Sequence, residues 1–242
     1  MILSINGILA GRGVIPSTLL TSLVSAYKAE NNANDSLGTN NGTAQGGLTY
    51  STGKSGNSFT FNGSNSYVKL TTNSFQFTGD FSYSFWLYMP TAAGSPQGLF
   101  MNFAYDGSNF YGFGVHYDNL LRMRIFNGTS NNNINALTCD YKDLGYENSW
   151  NLITYTHKNG SNKMYINNTL ITSNTSTINP IYYSNHVPAI GAFHYGSGFS
   201  NLVQYYAMNN SKIDELNVWN KELTSTEVTE LYNSGSGKFY PY

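Results

Sequence analysis

The chain has 242 residues, enough for one large β-domain or two small ones. Only 10% of them are charged and the formal net charge is −1, so no basic field exists to condense on nucleic acid or an anionic membrane. The single cysteine, Cys139, excludes an intrachain disulfide, and the 40% apolar content must hold the fold through its core alone.

Polarity is built from Asn, Ser, Thr and Gly rather than from ion pairs; the sequence holds 33 Asn and 20 Tyr. The opening "MILSINGILAGRG" is apolar but lacks a basic stretch, and Asn6 and Gly7 interrupt it. It predicts neither a signal peptide nor a membrane span. Its aliphatic residues, Ile2, Leu3, Ile5, Ile8, Leu9, Val14 and Ile15, follow no pattern of a self-contained fold and would be a liability exposed on a soluble monomer. Residues 1–21 are therefore expected to be an N-terminal arm that docks on a partner, followed by one domain over 22–242.

Beyond the arm the chain reads as short strands between turns. "SFTFNGSNSYVKL" (58–70) alternates around Asn62-Gly63 and predicts a hairpin. "FSYSFWLYMP" (81–90) is apolar on both faces, as a central strand would be, and stops at Pro90. "FYGFGVHYD" and "LLRMRIFNG" predict a hairpin turning near Asp118-Asn119. "WNLITYTHKNGSNKMYINNTLITS" predicts a long hairpin through Asn159-Gly160 and a second tight turn at Asn167-Asn168. Strands at this spacing, with Gly and Asn turns, predict a two-sheet antiparallel sandwich. The final segment, "KIDELNVWNKELTSTEVTELYNSG" (212–235), predicts a strand and one short helix. Thr224 and Glu227 have capping-box spacing, Val228, Leu231 and Tyr232 form an apolar face, and Gly235 supplies a left-handed stop. So short a helix is marginal alone and is expected to cover an open end of the sandwich.

Catalytic chemistry finds little support. His116, His157, His186 and His194 lack metal-ligand spacing, and there is no GxSxG or P-loop. Cys139 reads as a buried thiol. Among the acids, only Asp214-Glu215 pairs two on an expected strand, and strand neighbours point to opposite faces. The chain is therefore expected not to be an enzyme. Aromatics in polar loops suit ligand binding better, because sugar rings stack on aromatic faces while polar side chains bond the hydroxyls. The residues so placed are Tyr105, Asp106, Asn109, Phe110, Tyr111, His194 and Tyr195, and Tyr182, Tyr183, Tyr205 and Tyr206 are further aromatics in loops.

The ordered set "SLVSAYKAENNANDSLGTNNGT" (22–43), "SFTFNGSNSYVKL", "FSYSFWLYMP", "WNLITYTHKNGSNKMYINNTLI", "AIGAF" (189–193) and the closing segment resembles laminin-G-like modules of the concanavalin A-like lectin/glucanase superfamily, over about residues 22–236. The resemblance implies an all-β antiparallel jelly roll whose first and last strands lie side by side. It further implies that the Asn-x-Asn-Asp-Ser turn approaches the Ile-Asp-Glu strand, where some members hold one structural Ca²⁺. The corresponding residues are Asn32, Asn34, Asp35 and Asp214, with Glu30 as a further donor; calcium takes roughly six to eight oxygens. The glucanase branch cleaves with two same-face Glu, whose carboxyls sit about 5 Å apart in retaining enzymes, and no such pair is evident. The apolar arm, the lectin-like domain and the Asn-rich surface together resemble bacteriophage virion accessory proteins: capsid decorations, head fibres or tail adhesins. That resemblance implies a multi-copy or homo-oligomeric protein in the virion, with other virion proteins and a cell-surface glycan as partners, and without membrane insertion. A free extracellular or cell-surface bacterial carbohydrate-binding module is the alternative, and a glycan-degrading enzyme the weaker one.

Overall fold

The computed structural model describes residues 17–91, 96–130, 136–192 and 208–242. The first strands are β1 (Leu23–Tyr27), β2 (Thr43–Gln45), β3 (Thr49–Thr52), β4 (Asn57–Asn62) and β5 (Tyr67–Lys69). Then come β6 (Phe81–Tyr88), β7 (Gln97–Tyr105), β8 (Phe110–Tyr117), β9 (Leu121–Thr129) and β10 (Leu137–Cys139). The chain continues through β11 (Trp150–Lys158), β12 (Ser161–Ile166), β13 (Thr169–Asn174), β14 (Ala189–Ile190) and β15 (Asn209–Trp219) to helix α1 (Ser225–Tyr232).

They form two antiparallel sheets. One runs β13-β12-β11-β6-β15-β4-β3, with β1 also paired to β15; the other runs β10-β9-β8-β7-β14-β5-β2. The expected meeting of first and last strands is present, with Tyr27 opposite Leu216. As expected, β6 is central, between β11 and β15. Its Phe81, Tyr83, Phe85 and Leu87 face inward, and all four are fully buried. Aromatic rings lock the sheets together: Phe81 of one lies 4.6 Å from Phe113 of the other, and Tyr83 lies 5.3 Å from Phe100. Edge and offset ring contacts of this kind add to the area they bury.

The hairpins β8–β9, β11–β12 and β12–β13 form as expected. The hairpin at Asn62-Gly63 does not. There β4 pairs with β3 and β15 in one sheet while β5 pairs with β2 and β14 in the other. The turn is a crossing between layers. The Asn62 side-chain oxygen holds it, accepting from the N–H groups of Ser64, Asn65 and Ser66 and from the Ser66 hydroxyl.

Helix α1 has the expected capping box: Thr224 Oγ1 accepts from Glu227 N, and the Glu227 carboxylate accepts from Thr224 N. The left-handed stop begins earlier than expected, at Asn233 (φ 46°), and runs through Ser234 to Gly235. The helix also covers a different surface. Val228 and Leu231 pack with Leu19, Trp86, Leu152, Tyr165, Trp219 and Leu223. Four of these come from β6, β11, β12 and β15, on the face turned away from the core. The helix thus roofs the outside of the eight-stranded sheet, because that face is itself apolar at Trp86, Leu152 and Trp219, and does not plug an end.

Residues 17–21, assigned from sequence to the arm, are part of this roof. Leu19 is fully buried, and Thr18 Oγ1 donates to Glu227 Oε1 at 2.6 Å. The Trp219 indole N–H donates to the Leu19 carbonyl, while the Tyr242 ring stacks on Trp219 with centroids 6.3 Å apart. The arm residues Ile2, Leu3, Ile5, Ile8, Leu9, Val14 and Ile15 lie outside the described residues.

Candidate functional site

The β7–β8 hairpin carries the sequence-predicted ligand loop. Its four connecting residues, Asp-Gly-Ser-Asn, turn because Asp106 Oδ1 accepts from the N–H groups of Ser108 and Asn109, at 2.8 and 2.7 Å. Gly107 takes φ 96°, open to a residue without Cβ. Asp106 Oδ2 accepts from the Tyr111 hydroxyl at 2.7 Å, and the Tyr105 hydroxyl donates to the Gly107 carbonyl at 2.8 Å. The Asn109 N–H, then the Tyr111 hydroxyl and the Ser108 N–H, hold the Asp106 carboxyl down at about 2. The Tyr105 ring packs on Phe110 (4.7 Å), and Tyr111 meets Tyr183 edge-on (5.1 Å, 62°).

The structure thus brings Tyr105, Asp106, Asn109, Phe110 and Tyr111 together and sets Tyr183 beside them, while Tyr182 packs against the core; Tyr205 and Tyr206 lie outside the described residues. It gives Asp106 a positioning role: both oxygens are committed to its own loop, Oδ1 to the turn and Oδ2 to the Tyr111 hydroxyl, while Tyr105 is held by the Gly107 carbonyl of that turn. Phe110 is buried beneath the loop. His194 and Tyr195 lie outside the described residues.

The carboxylates proposed for calcium divide into two places. Asp35 sits beside β1. Its carboxylate accepts from Ser25 Oγ and from the N–H groups of Ala26, Leu37, Thr39 and Asn40. Asn32 closes its own turn, with Oδ1 accepting from Asn34 N. Glu30 and Asp214 instead grip the β3–β4 turn together: Asp214 Oδ2 accepts from Lys54 N and Ser55 N, and Glu30 Oε2 accepts from Asn57 N. Both oxygens of Asp35 and both of Asp214 already accept from N–H or O–H donors, and Glu30 Oε2 accepts from Asn57. Among the described residues no three of His, Cys, Asp and Glu gather as a metal-binding group. The four residues do not fit a common calcium cage; the carboxylates tie turns together.

Asp214 and Glu215 also depart from the alternation that the sequence implied. Asp214 opposes Trp86 and Asn217 opposes Ser84, so Glu215 and Leu216 share the single place opposite Phe85. This is a β-bulge, with Glu215 at φ 49°. The argument that strand neighbours face opposite ways therefore does not hold here. Both carboxyls are buried, and neither Glu215 oxygen has a hydrogen-bond partner. Burial raises both above the usual carboxylate range, and Asp214 raises Glu215 further. His157 is held between Asn162 and Asn179, and His116 and His186 are buried. Burial raises the Cys139 thiol to about 12, so it is not a nucleophile at neutral pH.

The Laminin_G_3 family model, described as concanavalin A-like lectin/glucanases superfamily, matches residues 62–229. Among curated proteins no sequence matches. Among solved structures, domain 4 of AbnA, a GH43 extracellular arabinanase from Geobacillus stearothermophilus in complex with arabinotriose, aligns with TM-score 0.65 and 21% identity, covering 86% of this chain and 97% of that one. The receptor binding domain of botulinum neurotoxin C/D mosaic serotype aligns with TM-score 0.66 and 20% identity over 88% of this chain. The botulinum neurotoxin serotype D ligand binding domain in complex with N-acetylneuraminic acid aligns with TM-score 0.65 and 20% identity, also over 88%. The chain spans about half the length of these toxin domains, 51% in each case.

Proposed function

The chain belongs to the concanavalin A-like lectin/glucanase superfamily, and from that premise we propose a non-enzymatic, glycan-binding module displayed on a virion as a capsid decoration, head fibre or tail adhesin. The observation that carries the glycan reading is the loop in which Asp106 sets the turn and holds Tyr111, while the Gly107 carbonyl of the same turn holds Tyr105. A loop fixed in advance loses little conformational freedom on binding. Two tyrosines beside Asn109 offer an apolar body with a polar rim, the requirement of a sugar site.

The way the chain enters the domain supports the proposal of display through the arm. Ser17 to Leu19 dock against Trp219 and Glu227 on the outside of the eight-stranded sheet. The tyrosine loop belongs to the other sheet. An arm anchored to a particle would hold the first sheet toward the particle and present the second. Many copies would then multiply a weak single-site affinity. Catalysis is not part of the reading, because Asp214 and Glu215 are buried and Asp214 is tied to backbone N–H groups.

The test is retention of the full chain on an immobilised polysaccharide panel, compared with Asp106→Ala, and co-sedimentation with particles. Retention lost in Asp106→Ala, without sugar release, supports the module. Fixed stoichiometry with particles supports the virion role. Retention without any particle association moves the protein to the second reading, a free carbohydrate-binding module. No retention on any glycan removes the reading itself.

A further inference from the structure

We propose that the outer face of the seven-stranded sheet carries a subsite for a carboxylate-bearing sugar, formed by Arg122 and Arg124 of β9. The inference rests on the glycan-binding reading above and specifies the chemistry of the sugar. Leu121, Met123 and Ile125 of β9 enter the core between the sheets. By strand alternation Arg122, Arg124 and Phe126 therefore face outward. Phe126 packs there with Met101, Phe103 and Phe110. Across the sheet Arg122 opposes His116 on β8 and exposed Thr138 on β10, while Arg124 opposes Gly114, which has no side chain.

The chain has three arginines, Arg12, Arg122 and Arg124, and two of them stand side by side on this face. One acid serves both. Asp118 Oδ1 accepts from Arg122 Nε at 2.5 Å, and Asp118 Oδ2 lies 4.0 Å from Arg124 Nη2. His116 Nε2 is 3.5 Å from Asp118 Oδ2. Burial, then the Arg124 charge, lowers His116 to about 4, so at neutral pH it adds no charge. Two guanidinium groups thus face one carboxylate, leaving one positive charge uncompensated.

The hydrogen bonding is equally incomplete. The Arg124 side chain is 12% exposed, and its Nε is buried without a hydrogen-bond partner. A buried donor left unmade is costly, more so on a charged group. The missing partner is therefore an acceptor with a single negative charge. A planar carboxylate matches the paired N–H edge of a guanidinium, and it would take Nε–H and one Nη–H of Arg124 together once that side chain turns toward the open side of the sheet. Entry is from the side of Arg122 and Asp118, whose side chains are 24% and 32% exposed, with the Thr138 hydroxyl at the rim.

Side-chain ¹H–¹⁵N spectra test this directly, because three arginines give three Nε–Hε signals and Arg124→Gln identifies one of them. The full chain is titrated with sodium glucuronate, glucose and glucose 6-sulfate. The expected result is a saturable shift of the Arg124 signal with glucuronate and none with glucose. On a glycan array, Arg124→Gln should lose about tenfold in affinity for uronate- or sialate-bearing glycans, about 1.4 kcal/mol, while neutral glycans are retained as before. Arg124→Lys, which keeps the charge but not the planar edge, should fall between.

An unmoved Arg124 signal alongside retention of neutral glycans would overturn the subsite and leave the glycan reading standing. A larger shift with the sulfate than with glucuronate would overturn the assignment to carboxylate. Retention of no glycan by the wild-type chain would overturn both.

Discussion

The indole N–H of Trp219 donates to the main-chain carbonyl of Leu19 at 2.7 Å, joining positions 200 residues apart. The bond is buried and fixes where the chain enters the domain. Deleting residues 1–16 should therefore leave the melting temperature unchanged while removing the protein from particles. Deleting 1–21 should lower the melting temperature, because it removes Leu19 from the roof. Leu19→Ala alone should cost about 2–5 kcal/mol. Full particle incorporation of the shorter truncation, measured by sedimentation and gel densitometry, would defeat the anchoring proposal.

The cap of helix α1 gives a local prediction. Thr224→Ala removes the acceptor for Glu227 N and should cost about 1 kcal/mol. At this chain length that corresponds to a fall of about 2–4 °C in melting temperature. Thr224→Ser should restore most of it. Calorimetry of the three proteins at one pH decides the point.

Two glutamates should respond to pH with opposite signs. Burial alone would raise Glu227, but hydrogen bonds from Lys221, Thr18 and Thr224 outweigh it and hold the carboxyl at about 2, against an ordinary 4.5. Its contribution is present above the ordinary value and is lost as pH falls through about 2. Glu227→Gln should therefore flatten the acid limb of stability against pH. Glu215 is raised, by burial first and then by Asp214. Its contribution is present while the carboxyl is protonated and fades as pH rises above the ordinary range. Glu215→Gln should remove a loss of stability on the neutral side. Parallel melts from pH 2 to 8 that show the same sign for both variants would contradict this assignment.

Asp106→Asn tests the loop separately from the fold. It keeps an acceptor for the backbone N–H groups but weakens the bond from Tyr111. Affinity for a retained glycan should drop about tenfold, with the melting temperature within about 1 °C of wild type, since surface changes usually alter stability little. A glycan affinity indifferent to this change would place the site elsewhere.

Calcium should leave the melting temperature unchanged, because both oxygens of Asp35 and of Asp214 are already taken by donors and Glu30 Oε2 is tied to Asn57. Asp35→Ala should nevertheless be strongly destabilising, since it strands several buried donors. A one-to-one binding heat with Ca²⁺, abolished by Asp214→Asn, would reverse this reading.

The architecture was legible in the sequence wherever the determinant was local. The two apolar faces of Phe81–Tyr88, the turn at Gly160 and the Thr224–Glu227 spacing each carry their own physical cause. Two features escaped because their causes lie far along the chain. Asn62-Gly63 reads as a hairpin, yet the choice between folding back and crossing to the other sheet depends on which strands are free to pair with β4 and β5. The bulge at Glu215 is visible only against Phe85, the residue it outnumbers. The tyrosine loop was found because its polar and aromatic residues are contiguous. The Arg122–Arg124 face was missed because an unmade hydrogen bond leaves no mark on a sequence.

Trp219 is the place where both ends of the folded unit arrive, Leu19 on its indole nitrogen and Tyr242 on its ring. A domain with its entry and exit side by side is modular in a specific sense. It can be spliced into a surface loop of an unrelated host without stretching either junction, and its chain can be closed there and reopened at an exposed turn such as Gly160. The same residue makes a natural gauge for either operation: a graft that fits leaves the Trp219 environment, and hence its fluorescence, as it was.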